Sequence, residues 1–186
     1  MTETRQLVKF SIVYKGEFNF VSLYKLVREW VLENGYGPDK WLEKLYLQRD
    51  GGGASEHWIW WRTTKTVNDY MMYRMDIDFH TLGITQAEIV HEGKKIKTNK
   101  GEVELFFNVK LILDPANKWD DNWLLKQKSL KNWWLKKLFK PEIDKHEELL
   151  IIDANRAQSV VKQYLDLKGF MSEYAGELFH PVKGFE

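Results

Sequence analysis

At 186 residues the chain falls within the span of a single domain, and 44% apolar with 30% charged residues excludes wholesale disorder. A formal net charge of +1 excludes a global field for nucleic acid or anionic lipid, so any such attraction has to come from local patches. The absence of cysteine excludes disulfides, thiolate chemistry, iron–sulfur clusters and cysteine-based zinc sites together.

Val8, Phe10, Ile12 and Tyr14 alternate with polar neighbours, the signature of a strand with one buried face over 7–14. Phe20, Leu23, Tyr24, Val27, Trp30 and Val31 then recur at helical spacing, and Gly35 follows where a left-handed C-terminal residue is wanted. Residues 41–49 and 57–67 predict a hairpin across Gly51-Gly52-Gly53. Residues 70–80 alternate sharply, with Met71, Tyr73, Met75, Ile77 and Phe79 on one face and Met72, Arg74, Asp76, Asp78 and His80 on the other. A further hairpin is predicted from 87–96 and 102–113, turning at Asn99-Lys100-Gly101. Beyond Pro115 the pattern is helical over about 118–140, breaks at Lys140-Pro141, and resumes over about 154–168 with Asp153 as N-cap.

The expected architecture is α+β: a curved antiparallel sheet of about six strands packed on an N-terminal helix and C-terminal helices. Residues 1–169 form one domain and 170–186 an aromatic tail. The order strand, helix, meandering strands, helices over roughly 5–168 resembles that of helix-grip folds, the START and Bet v 1-like group. That resemblance implies a sheet wrapped around a long C-terminal helix, often with an apolar cavity. One helix follows the first strand, where that group usually has two short ones. MTETRQLVKF has no apolar leader pattern and no uncharged apolar run of about 18 residues occurs, so a cytoplasmic, non-spanning protein is expected.

Nine Trp, eight Tyr and ten Phe direct attention to aromatic surfaces. Trp58 and Trp60 share one strand face, and Trp61 the other, so one of the two faces is core and the other a stacking platform or a contact with another element. Over 118–140, Trp119, Trp123, Leu130, Trp133, Trp134 and Leu138 gather into one helical stripe, with Lys126 and Lys137 inside it. Seven lysines stand there against Asp120 and Asp121. Such a helix packs on the sheet with its lysine stems snorkelling, lies on a membrane surface or nucleic acid, or docks in a groove of a protein partner.

Lys94, Lys95 and Lys97 put basic groups on the 91–101 segment, where they serve either phosphate contact or protection of a sheet edge. Asp76, Asp78 and His80 have metal-ligand chemistry and a common face, yet alternating charges on an outer sheet face also simply pair across strands. The glycines at 51–53 lack the Gly-Lys-Ser/Thr ending of a phosphate loop, and no serine lies in a nucleophile elbow.

The leading expectation is a non-catalytic binding protein. Its aromatic-lined cleft, drawing on Trp58, Trp60, Trp61, Trp119, Trp123, Trp133 and Trp134, would take an apolar ligand or partner segment without a cofactor. One alternative is an RNA- or ribosome-associated protein using 94–100 and 126–140 as a basic surface. Another is a metal-dependent hydrolase built on Asp76, Asp78 and His80.

Overall fold

The computed structural model describes residues 2–91, 94–117 and 139–170, with side chains at 38–41, 89–96 and 167–170 outside the description. The elements are β1 (Glu3–Phe18), α1 (Phe20–Glu33), β2 (Gly37–Gly51), β3 (Ala54–Thr66), β4 (Met71–His91), β5 (Lys94–Leu113) and α2 (Lys140–Phe170). All strands pair antiparallel in one sheet of order β1-β5-β4-β3-β2, which brings the first strand beside the last. The sheet stays open at β1 and β2 and the helices flank it, an α+β arrangement compatible with the helix-grip element order.

Alternation decides which face is core. Met71, Tyr73, Met75, Ile77 and Phe79 of β4 are buried alongside Val103, Leu105, Phe107, Val109 and Leu111 of β5 and Ile59 and Trp61 of β3. Two helices cover this surface. From α1 come Leu23, Leu26, Val27, Trp30 and Val31; from α2 come Ile143, Leu150, Ala154, Ala157, Val161 and Leu165. Burying a large aliphatic or aromatic side chain contributes roughly 1.5–3 kcal/mol, so this shared layer is what holds the helices to the sheet. The outer face of β4 carries Arg74, Asp76, Asp78 and His80, as the alternation predicts.

Three expectations are corrected. Among the described residues the sheet has five strands where about six were expected, because 70–80 and 87–96 belong to one strand. Gly83 has φ of 62° at a register shift between Leu82 and Thr85, so the chain bends there and keeps pairing with β5. The turn expected at Asn99-Lys100-Gly101 is instead strand: these residues pair with Phe18, Glu17 and Gly16 of β1, and the β4–β5 ladder closes at His91↔Lys94. Asp153 is interior to α2, not its N-cap, and Pro141 stands at the start of that helix, where its fixed φ and missing N–H are tolerated. The helix expected over about 118–138 and the tail after residue 170 lie outside the described residues.

Candidate functional site

A cleft of about 380 Å³ opens where the start of α1 meets one end of β2, β3, β4 and β5. Phe20, Val21 and Tyr24 of α1 form one side, Tyr46 of β2 and Ile84 of β4 complete the apolar wall, and Ser55, His57, Gln86 and Asn99 supply polar groups. Small-molecule sites typically span roughly 300–1,000 Å³ and combine apolar walls with a few placed polar groups.

The start of α1 is fixed by three contacts. Asn19 caps it, its side-chain oxygen accepting from the Ser22 N–H at 3.0 Å. The Phe20 N–H donates to Asn99 Oδ1 at 3.3 Å, and the Tyr164 hydroxyl of α2 donates to the Asn19 carbonyl at 3.0 Å. Phe20 and Tyr24, one turn apart with ring centroids 6.5 Å apart, are thereby presented to the cleft as a rigid wall. Opposite them, β4 carries one extra residue between Thr81 and Thr85, which shifts its register against both β3 and β5. The pair Ser55↔Ile84 is followed by His57↔Thr81, so the local bend turns Ile84 inward.

His57 is the polar centre of this wall. It is 8% exposed, its backbone N–H donates to Thr81 Oγ1 at 3.0 Å, and its Nδ1 lies 2.9 Å from the same oxygen. Thr81 is fully buried, and Nδ1 is the acceptor within reach of its hydroxyl proton. With the Thr81 O–H donating to Nδ1, the hydroxyl and Nδ1 are both satisfied; the opposite tautomer would strand a buried hydroxyl proton at a cost of about 1–3 kcal/mol. Nε2 therefore carries the ring proton on the side of the cleft. Burial holds the imidazole pKa below its ordinary value, against a smaller opposing effect of the Asp50 carboxylate, so the ring is neutral at neutral pH. Phe20 lies 5.1 Å from the imidazole at an interplanar angle of 30°, and Tyr46 meets it edge-on at 6.2 Å.

Ser55 does not pair with His57: its hydroxyl donates to Asp50 Oδ1 at 2.6 Å. The arrangement supplies one oriented N–H on an apolar wall, the equipment for holding and orienting a molecule.

The tryptophans distribute differently. Trp61 is fully buried in the core, edge-on to Tyr24 and Phe79 at 4.8 Å each. Trp58 and Trp60 share the outer face as expected. Trp58 stacks on His80 at 3.7 Å and donates its indole N–H to Glu56 at 2.9 Å, while Trp60 is 41% exposed with the Arg62 guanidinium 5.7 Å from its ring centroid. None of the three lines the cleft, whose aromatic side chains are Phe20, Tyr24 and Tyr46. Trp119, Trp123, Trp133, Trp134, Lys126 and Lys137 lie outside the described residues.

Asp76, Asp78 and His80 do share the outer face, and cations and a carboxylate occupy them. Asp76 accepts from Arg74 Nε at 2.9 Å and Lys110 Nζ at 3.0 Å with Arg62 Nε at 3.8 Å, Asp78 pairs with Arg62, and His80 Nε2 lies 3.1 Å from Glu56. Among the described residues no group of three or more His, Asp and Glu side chains is placed to hold a metal ion. Lys97 sits across the ladder from Glu88; the side chains of Lys94 and Lys95 are outside the description.

The sequence marks His57 beside the tryptophans of β3 without giving it a role, and does not mark Thr81. The available signal was phase: His57 alternates with Ile59 and Trp61, and Thr81 with Phe79, which puts two polar groups on the core face.

The chain matches no protein-family model and no curated protein. Among solved structures it is similar to the di-domain ARO/CYC BexL from the BE-7585A biosynthetic pathway, at 10% identity over 88% of this chain and with a TM-score of 0.23. The match spans about half of that structure's length. No helix among the described residues is long and apolar enough to cross a membrane.

Proposed function

We propose that this chain binds an apolar small molecule in the cleft beside α1 and catalyses no reaction on it. The observation that supports this reading is the composition of the wall. Phe20, Tyr24, Tyr46 and Ile84 surround a volume of about 380 Å³ in which His57 offers a single buried polar anchor. The cleft lies against α1, whereas the resemblance to helix-grip folds pointed to the C-terminal helix. Its volume suits a small molecule better than a partner segment.

Titration with the uncharged fluorophore N-phenyl-1-naphthylamine tests the reading. Saturable one-site enhancement is expected for the wild type, and Val21→Trp, which places an indole at the mouth, should weaken it. Absence of saturable enhancement in the wild type would remove the reading.

A further inference from the structure

Resting on that binding reading, we infer that the ligand is an uncharged aromatic molecule carrying a carbonyl oxygen, and that the His57 Nε2–H donates to this oxygen. Three observations on the page converge on this class. The first is the donor. The buried Thr81 hydroxyl needs Nδ1 as its acceptor, which leaves the proton on Nε2, and a neutral imidazole in that state offers a donor and no second acceptor to the cleft. At this ring an amine or ammonium group on a ligand would find no acceptor, whereas a carbonyl oxygen would find the Nε2–H donor.

The second is the shape of the wall around that donor. Phe20 lies 5.1 Å from the imidazole at a tilt of 30° and Tyr46 stands edge-on to it at 6.2 Å, a setting of aromatic faces and edges against which a flat ring can pack while its oxygen reaches the ring nitrogen. The third is charge. No lining residue of the cleft is a lysine or arginine. At the rim stands Asp50, whose carboxylate accepts from the lining residue Ser55 and is held below its ordinary pKa by the Ser55 and Gln48 hydrogen bonds. A negative charge at the mouth and none of the opposite sign inside disfavour an anionic ligand, which separates a ketone from a carboxylate. Thr81 touches no ligand in this account; it is a positioning residue that fixes the tautomer.

Three probes on the full chain, followed by titration calorimetry, decide the matter: 2-acetylnaphthalene, 2-isopropenylnaphthalene, in which a methylene replaces the carbonyl oxygen, and 2-naphthoate. The ketone is expected to bind about three- to tenfold more tightly than the alkene, the factor one neutral hydrogen bond provides, and 2-naphthoate more weakly than either. In His57→Phe the ketone-to-alkene ratio should fall to about one. His57→Gln, which retains an N–H donor, should keep it above one and guards against a folding defect of the phenylalanine variant. Thr81→Val should lower the ratio and shift the imidazole ¹⁵N resonances away from the pattern of an Nε2–H tautomer, a readout that loss of packing alone would not move. Equal affinity of ketone and alkene in the wild type, or tightest binding of 2-naphthoate, overturns the assignment while leaving an apolar cleft in place. Failure of both uncharged naphthalenes to bind removes the cleft reading itself.

Discussion

The Tyr36 hydroxyl donates to Asp153 Oδ2 at 3.0 Å, joining the turn after α1 to the middle of α2. Both partners are fixed by their surroundings. Gly35 has φ of 75°, and the Tyr36 N–H returns to the Val31 carbonyl at 2.9 Å, so the helix end itself positions the fully buried ring. Lys65 Nζ from the end of β3 lies 3.9 Å from the same carboxylate oxygen and 5.3 Å from the centroid of the tyrosine ring. Tyr36→Phe removes a hydrogen bond to a charged acceptor and leaves the carboxylate short of a donor. The expected loss is about 1.5–3 kcal/mol, read as a lower urea midpoint with an unchanged slope. Asp153→Asn keeps an acceptor oxygen and should cost less. A Tyr36→Phe loss below about 0.5 kcal/mol, within the usual range for neutral surface changes, would contradict this latch.

Stability should also fall on the alkaline side, through tyrosines. Burial pushes Tyr70 and Tyr164 up to about 12, and raises Tyr36 strongly, with the Asp153 charge adding to the effect. In the unfolded chain these phenols titrate near their ordinary value of about 10. Below that value both states hold the protons and the groups make no pH-dependent contribution. Above it the unfolded state releases protons that the folded state keeps, so stability falls as pH rises through the interval from about 10 to about 12. Thermal midpoints followed from pH 8 upward should drop beyond about pH 10, with tyrosinate absorbance appearing together with unfolding. Full tyrosinate absorbance reached before unfolding would show that these three phenols are not protected.

On the outer face, Asp76 is only 6% exposed yet faces Arg62, Arg74 and Lys110. Removing its charge leaves three cations in mutual repulsion around a buried amide. Breaking a buried pair from one side costs about 3–5 kcal/mol, but the three cations are partly solvated, so about 2–3 kcal/mol is expected for Asp76→Asn. Added salt should shrink that loss, because it screens the residual repulsion between the cations. A salt-independent loss would point to packing and hydrogen-bond geometry in place of charge. Lys110→Met, which leaves Arg62 and Arg74 on the carboxylate, should cost less than Asp76→Asn.

Much of this architecture was legible because alternation and helical spacing are local. Phe20, Leu23, Val27 and Val31 lie buried on α1 as their period implies, and the two faces of β4 separate as Met71–His80 predicts. What misled was glycine and asparagine chemistry with two meanings. Asn99 and Gly101 look like a turn, but Asn99 accepts from the Phe20 N–H and Gly101 has a backbone against it, both consequences of tertiary packing. Gly83 looks like a break and serves as a bulge. Asp153 resembles a helix cap because an apolar stripe follows it, yet Ile143 and Leu150 carry the stripe on the N-terminal side. The cleft was out of reach for the same reason: it depends on a bulge in β4 that shifts its register against both neighbours, and on a histidine whose phase matters more than its tryptophan neighbours.

Gly101 offers the sharpest test of that reading. It lies in β5 between Lys100, paired with Thr85, and Glu102, paired with Leu82, and so faces the bulge where Gly83 and Ile84 of β4 stand against one residue of β5. A Cβ at this position would sit 2.7 Å from Ile84 Cδ1 and 3.0 Å from the carbonyl oxygens of Leu82 and Gly83. The isoleucine tip can move, but the two carbonyls belong to a backbone held by Gly83 at positive φ. Gly101→Ala should therefore displace the bulge and cost about 1–3 kcal/mol, the range for overpacking. Because Ile84 is part of the cleft wall, the same substitution should weaken binding of N-phenyl-1-naphthylamine. Gly51→Ala is the control, since a Cβ there meets nothing within 4 Å and its φ lies outside the left-handed region; it should be neutral or gain up to about 1 kcal/mol from a less flexible unfolded chain. Equal losses for the two variants in urea titrations would show that strand glycines are replaceable at a common cost, and that close approach to the bulge is not why residue 101 is glycine.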